Sequence, residues 1–505
     1  MPAEVEIAQG KLSGFEDEGL QVFLGIPFAK PPTGERRFRA PEAPDPWAGE
    51  RDATRYGSSA PQLAMELEQV MPGFDVGEQS EDCLYLNVFT PAADEAKRPV
   101  LVWIHGGAFT LGSGSQKMYD VRGLARQGEL VCVTLNYRLG ALAFTHLAGI
   151  DESLDTSGCA GIQDQAAALR WVRENIGAFG GDPSQVTIFG ESAGGFSVGT
   201  LLGMPEARGL FERAIPQSGA AHLTNDAETG ARVARLLLDE LGISPSELPK
   251  LWEVPVDQIV KAQQSVESKQ RVGTHSRPFK PVVDGRALPE RPIDAIANGL
   301  SAEVPVVVGA CRDEEKLFSL WDKGASELDE PGLVTRIDGL VPGRGRDLVE
   351  AYRSARSERG ADTSPYELYA AIETDRVFRV PAVRLAEAQS RHQPATFSYL
   401  VTWEAAAMDG KLGACHGIDL PFVFGRVGGK ASGLFAGSGP DAERLSREMM
   451  GAWIAFARSG DPNHADLVTW PAYDEARRAT VFFGRETQIV DAPLEGERRA
   501  WEGIL

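Results

Sequence analysis

Val186-Thr-Ile-Phe-Gly-Glu-Ser-Ala-Gly-Gly195 is the stretch whose reading decides the fold. A β-branched, apolar run meets Gly190-Glu-Ser-Ala-Gly194 and passes directly into helix-compatible residues, so the predicted order is strand, sharp turn, helix. A Gly-x-Ser-x-Gly turn pushes the serine hydroxyl out of the backbone, and the small residues two positions either side keep strand and helix from colliding. Ser192 is therefore the candidate nucleophile. Five common residues carry little weight alone, and the rest of the chain must supply the rest of a site.

Working outward, Val100-Leu-Val-Trp-Ile104 and Leu130-Val-Cys-Val-Thr-Leu135 are continuous apolar runs, as expected of strands buried on both faces. They end in His105-Gly-Gly-Ala-Phe109 and Asn136-Tyr-Arg-Leu-Gly140. Leu84, Leu86 and Val88 alternate with period two, which predicts a strand with one buried face. Ala168, Leu169, Val172 and Ile176 recur at helical spacing ahead of Gly177. Downstream, Phe211–Gly219, Val304–Gly309 and Thr396–Val401 read as further strands, the last two followed by Cys311-Arg-Asp-Glu-Glu315 and Gly413-Ala-Cys-His416. Strands alternating with helices, with reactive residues just past strand ends, indicate a doubly wound α/β sheet. The proline-rich residues 20–47 predict an extended segment laid over the surface. With no internal repeat and no clear linker, residues 1–505 read as one domain. Insertions at about 61–80, 220–300 and 320–395, the last mainly helical, would wall and cap the site.

Of 505 residues, 51 are Lys or Arg and 72 are Asp or Glu, a net charge of −21 that argues against nucleic acid or an anionic membrane as partner. It also suggests that neutral or cationic substrates approach more readily than anionic ones. The N-terminus has neither a basic nor an apolar leader segment, and no run of eighteen apolar residues occurs. Five cysteines, Cys83, Cys132, Cys159, Cys311 and Cys415, form neither a Cys-x-x-Cys pair nor a Cys/His cluster at zinc spacing. These features predict a cytoplasmic protein in a reducing compartment, with no metal and no cofactor, as a monomer or weak homo-oligomer.

A serine hydroxyl needs a base to take its proton, the base needs a partner to hold its tautomer, and the developing oxyanion needs preset donors. In α/β-hydrolases these parts come in a fixed chain order: oxyanion loop, serine, acid, histidine. Of seven histidines, His416 stands after a strand in a Gly-rich loop late in the chain. His105 belongs to the oxyanion-loop pattern, and His146, His222, His275, His392 and His464 sit in charged or turn-like segments. The acid comes from Asp313, Glu314 and Glu315, among which spacing does not choose. His105-Gly-Gly-Ala108 supplies Gly106 and Gly107 as oxyanion donors, with Ala193 as the third.

The chain resembles a type-B carboxylesterase, the family that includes the cholinesterases. The resemblance rests on Glu81-Asp-Cys-Leu-Tyr-Leu-Asn-Val-Phe-Thr-Pro91 and Phe179-Gly-Gly-Asp-Pro-Ser-Gln-Val-Thr-Ile-Phe-Gly-Glu-Ser-Ala-Gly194. It continues through Gly25-Ile-Pro-Phe-Ala, Pro216-Gln-Ser-Gly, Phe279-Lys-Pro-Val-Val-Asp-Gly285, His416-Gly-Ile-Asp-Leu-Pro-Phe and Gly460-Asp-Pro-Asn463. It implies an α/β-hydrolase fold, a mostly parallel sheet flanked by helices. It also implies hydrolysis of small-molecule carboxylic esters through an acyl-enzyme on Ser192, with His416 as base and Glu314 as the acid. Glu191 is then expected to stabilise protonated His416 or to hydrogen-bond within the site, and Ser218 to support it from behind.

Three departures stand out. Glu315 replaces the glycine that follows the acid in relatives, Gly158-Cys-Ala replaces a Gly-Asn before the helix, and no cysteine precedes Cys83 to form the disulfide of animal relatives. The loop at 61–80 is therefore expected to be mobile. It contains Phe74 and no Trp, so choline esters, which cholinesterases hold by a cation–π contact with a Trp, are not favoured. Amides, carbamates and other specialised esters remain alternatives for the same chemistry. A non-catalytic binding module, known among relatives that have lost the nucleophile, is the remaining alternative; it is disfavoured because Ser192, Glu314 and His416 are all present.

Overall fold

The computed structural model describes residues 3–63, 75–270, 275, 277–429 and 435–505. Most of the loop expected to be mobile, including Phe74, lies outside the described residues. The strands in chain order are β1 Ala3–Ile7, β2 Gly10–Asp17, β3 Leu20–Pro27, β4 Glu50–Asp52, β5 Tyr85–Thr90, β6 Arg98–Ile104, β7 Val131–Leu135 and β8 Gly181–Glu191. They continue as β9 Arg213–Gln217, β10 Asn225–Asp226, β11 Val282–Val283, β12 Val306–Cys311, β13 Thr396–Val401, β14 Thr480–Phe483 and β15 Gln488–Val490. One large sheet runs β1-β2-β3-β5-β7-β6-β8-β9-β12-β13-β14-β15, with β4 beside β2. From β7 to β14 every neighbouring pair is parallel, and the strands outside that block pair antiparallel along the sheet order. This is the α/β-hydrolase architecture the sequence implies.

Side-chain alternation explains why the parallel strands read as unbroken apolar runs. On β6, Val100, Val102 and Ile104 enter one core while Leu101 and Trp103 enter the other, so both faces are covered. The helices Ala160–Asn175 and Ala193–Leu202 cover the first face through Leu169, Val172, Val198 and Leu201. Arg122–Gly128 and Pro440–Ser459 cover the second through Leu124, Leu445, Met449 and Trp453. A third cluster, with Leu333, Ile337, Tyr352, Leu368 and Trp501, joins the helices Glu330–Leu340, Gly345–Glu358 and Pro365–Thr374. Among the described residues no helix is long and apolar enough to cross a membrane.

One expectation needs correction. Residues 28–47 hold only a three-residue 3₁₀ turn, but Leu20–Pro27 is an interior strand between β2 and β5, with Phe23 and Ile26 fully buried. Gly25, at φ 64°, sits where the β3–β5 register shifts, and the strand continues through that irregularity up to Pro27.

Candidate active site

The register of the parallel strands brings their carboxyl ends together. Ile104 pairs with Gly190, Glu191 with Gln217, Gln217 with Gly309, and Cys311 with Val401. The segments that leave these ends carry the oxyanion loop, Ser192, Ser218, Glu314 and His416, which is where open α/β sheets place their ligands.

Ser192 has φ 58° and ψ −123°, a left-handed conformation held between the end of β8 and the helix Ala193–Leu202. Its amide donates to the Gln217 carbonyl at 3.0 Å, which anchors the turn to β9. The flanking glycines are dictated by contact: a Cβ on Gly190 would stand 2.6 Å from the Ile104 carbonyl oxygen, and one on Gly194 2.0 Å from the same atom. No real side chain tolerates either approach. The spacing of the motif thus follows from how closely β6 passes the turn.

His416 donates from Nδ1 to Glu314 Oε2 at 2.5 Å, and Glu314 Oε1 accepts from the Cys311 amide at 2.7 Å. Glu314 is fully buried, and Phe318 and Phe378 pack on the imidazole with ring centroids 4.8 and 5.0 Å away. The other ring nitrogen, Nε2, lies 3.1 Å from Glu191 Oε1. Among the described residues Ser192 Oγ makes no hydrogen bond, so the imidazole lies against Glu191 in this state. Such bonds are often loose before substrate binds.

Three buried carboxylates surround this histidine. Burial opposes the charge of His416, yet Glu191 and Glu314 outweigh it and hold the imidazole up to about 9. Burial also pushes Glu191 up to about 8, with Asp419 and Glu314 acting in the same direction against His416. Asp419 is raised to about 6 by burial and by Glu314, although it accepts from Gln217 Nε2 at 2.7 Å. His416 and Glu191 thus compete for protons across a 3.1 Å contact beside the elbow. Ser218 is fully buried behind the elbow, its amide bonded to the Gly309 carbonyl at 2.9 Å.

A Cβ on Gly106 would lie 2.7 Å from the Glu191 carbonyl oxygen, so the oxyanion loop passes close against the elbow here. Ala108, at φ 57°, lines the same cavity as Ser192 and Ala193. A non-glycine residue held in the left-handed region marks a local constraint. Of the candidate donors, Ala193 and the neighbouring Ala108 border the cavity beside Ser192, and Gly107, at φ 114°, joins Ala108 to Gly106.

Glu315, next to Glu314, turns away from His416. Its carboxylate meets His275 Nε2 at 2.6 Å and accepts from Ser319 Oγ at 3.1 Å. His275, Glu315 and Glu373 present ligand atoms within 4.8 Å of one another. Arg376 already forks Glu373 at 2.6 and 2.9 Å, so one of the two carboxylates of this donor set is engaged by a protein cation. Cys159, standing where relatives have Asn, is buried and donates from Sγ to the Val282 carbonyl at 3.0 Å. All five cysteines are free and buried.

Ser192 opens into a cavity of about 490 Å³. Phe196, His222, Lys280, Phe318, Arg376 and Phe378 are among its walls, and their positions fall after the elbow and in the two later insertions. Sequence reasoning places His222 and His275 in charged or turn-like segments, Lys280 enters only as part of the Phe279–Gly285 resemblance, and Arg376 gives no signal. Arg376 and Phe378 lie on a π-helical turn, Asp375–Arg379, between two α-helices. Such turns recur at functional sites and carry no sequence signature.

The carboxylesterase family model matches residues 1–501. The chain is 41% identical over 492 residues to a para-nitrobenzyl esterase of Bacillus subtilis, covering 97% of this chain and 96% of that protein. It is 36% identical to a human cocaine esterase, covering 90% and 82%. Among solved structures, the carboxylesterase EST55 of Geobacillus stearothermophilus superimposes with a TM-score of 0.89 at 41% identity, covering 99% of this chain and 100% of that one. With that coverage on every side, the chain belongs to the carboxylesterase family and is a carboxylic ester hydrolase.

Proposed function

We propose that Ser192 attacks the ester carbonyl while His416 takes its proton at Nε2, and that Glu314 holds the imidazole through Nδ1. The tetrahedral oxyanion forms against the N–H groups of Gly107, Ala108 and Ala193, donors that act most strongly once charge has developed. His416 then returns the proton to the leaving alcohol, leaving an acyl-enzyme on Ser192 that water cleaves by the same route in reverse. The observation that carries this reading is the 2.5 Å bond from His416 to a fully buried Glu314, beside a serine held at φ 58°. Glu191 holds the imidazole between turnovers and stabilises its charged form. Residues 1–505 work as one unit, with the segments at 220–300 and 320–395 as walls, which the residues lining the cavity support. The protein acts as a cytoplasmic monomer or weak homo-oligomer.

Ser192→Ala tests the assignment. Hydrolysis of p-nitrophenyl butyrate should fall by about 10⁶-fold while the circular dichroism spectrum stays unchanged. Retained turnover in a folded Ser192→Ala variant sinks the reading.

A further inference from the structure

The cavity beside Ser192 contradicts the charge of the chain around it. The protein carries 72 acidic against 51 basic side chains. Yet Arg232, Arg277, Lys280 and Arg376 all line this cavity, and among the described residues no Asp or Glu side chain does. The four come from three segments: Arg232 from the helix Ala227–Glu240, Arg277 and Lys280 from the stretch ahead of β11, and Arg376 from the π-helical turn. No local sequence pattern gathers them. Only the fold does.

Clustering like charges at a half-buried site is unfavourable unless something of opposite sign answers them. Arg376 has its answer in Glu373, which is itself fully buried behind the wall, and Arg232 donates to Gln270 Oε1 at 2.6 Å. Lys280 has none: among the described residues no carboxylate lies within ion-pair distance of its ammonium. Asp226, the carboxylate acting on it from further off, is exposed and spent on the Thr229 amide at the start of its own helix. Burial and repulsion from Arg376 and Arg277 push Lys280 down to about 8, and burial with the same kind of repulsion, from Lys280 and Arg376, pushes the nearby His222 down to about 3. His222 Nδ1 is buried without a hydrogen-bond partner.

We infer that this esterase is built for esters carrying a free carboxylate, which Lys280, flanked by Arg277 and Arg376, receives in the cavity while Ser192 attacks the ester carbonyl. Guanidinium and ammonium groups bind carboxylates by charge-assisted hydrogen bonds, strong where water is partly excluded. The expectation from net charge, that anionic substrates are disfavoured, is reversed at short range, because exposed charges are screened beyond about 8 Å at physiological salt while the cavity cations are not. The inference rests on the Ser192 esterase reading and names its substrate class.

The test compares pairs of esters matched in size. On the acyl side, p-nitrophenyl hydrogen adipate is set against p-nitrophenyl hexanoate; on the alcohol side, 4-butyryloxybenzoate against 4-butyryloxybenzamide. In at least one pair the anionic ester should have the higher kcat/KM. Lys280→Gln should lower that value by about 10- to 100-fold, the scale of one charge-assisted contact, with the change mainly in KM and the neutral ester within about twofold of wild type. Lys280→Arg should restore most of the preference. Neutral esters preferred in both pairs, or a preference untouched by Lys280→Gln, overturns the inference and leaves the esterase reading standing. Absence of hydrolysis of all four esters overturns both.

Discussion

At the scale of single residues, the site is governed by a proton shared among buried groups. His416 can accept the Ser192 proton only when neutral, and the carboxylates of Glu191 and Glu314 hold it protonated up to about 9. The sign follows directly: a raised imidazole pKa keeps the base occupied at low pH, so kcat/KM rises as pH climbs and levels off near that value. Removing the charge of Glu191, 3.1 Å from Nε2, removes part of what holds the proton. Glu191→Gln should therefore move the rising limb down by about one pH unit or more, and pH profiles of kcat/KM for a neutral ester from pH 5 to 10 will show it. A limb that stays in place would mean that Glu314 alone sets the proton affinity. Gly190 and Gly194 show the same scale from the steric side, since the Ile104 carbonyl oxygen leaves no room for a Cβ on either. That constraint is why five residues were legible as an elbow.

At the scale of elements, what holds the catalytic ends in place is a set of buried polar ties between loops. Arg138, in the loop after β7, forks Asp164 on the helix Ala160–Asn175 at 2.8 and 2.6 Å, and Asp164 also accepts the Arg138 amide at 3.0 Å. Both side chains are almost wholly inaccessible. Arg37 does similar work further out, forking Glu81 and donating to the Leu251, Trp252 and Val254 carbonyls. Breaking one partner of a buried pair strands the other charge. Asp164→Ala should thus cost about 3–5 kcal/mol, read as a lower urea midpoint with unchanged slope.

These ties also mark the limit of what the sequence displayed. The parallel strands β6, β7 and β12 were legible because burial on two faces writes a nearly continuous apolar run, and β8 by the apolar run that enters the elbow. The helix Ala160–Asn175 was legible because one face writes a 3.6-residue period. Strand β1 alternates over only five residues, β2 alternates weakly and β15 spans three residues, so none stood out. Leu20–Pro27 was hidden by the prolines that follow it. His416 was found by its place in chain order, whereas Glu314 was inseparable from Asp313 and Glu315 until a family pattern was laid over them. Structure separates the three carboxylates by direction: Asp313 accepts the Ala414 amide and pairs with Arg312, Glu314 meets His416, and Glu315 meets His275.

At the scale of the whole molecule, the helical layer formed by residues 325–380 delivers side chains to a site it does not otherwise belong to. Trp501, near the far end of the chain, donates from Nε1 to the Tyr352 hydroxyl at 2.6 Å, and that hydroxyl donates to Asp375 Oδ2 at 2.5 Å. Asp375 opens the π-helical turn and is forked by Arg379 at 2.5 Å on both oxygens. The next residue, Arg376, and then Phe378 face the cavity. A path of buried polar contacts therefore links the chain end to the wall that packs on His416. Trp501→Ala removes the largest side chain of the third core cluster and leaves the Tyr352 hydroxyl without its donor. The cost should be about 3–5 kcal/mol, visible as an early unfolding step of this layer in hydrogen exchange while the sheet stays protected. Because Ser192, Glu314 and the oxyanion loop are carried by the sheet and the loops at its carboxyl edge, turnover of a small neutral ester should persist in the folded variant. Discrimination between charged and neutral esters should weaken, since Arg376 and Phe378 are what the loosened layer presents. Uniform loss of protection across sheet and layer together would show that the third cluster is not a separate cooperative unit, and would tie the cavity wall to the stability of the whole fold.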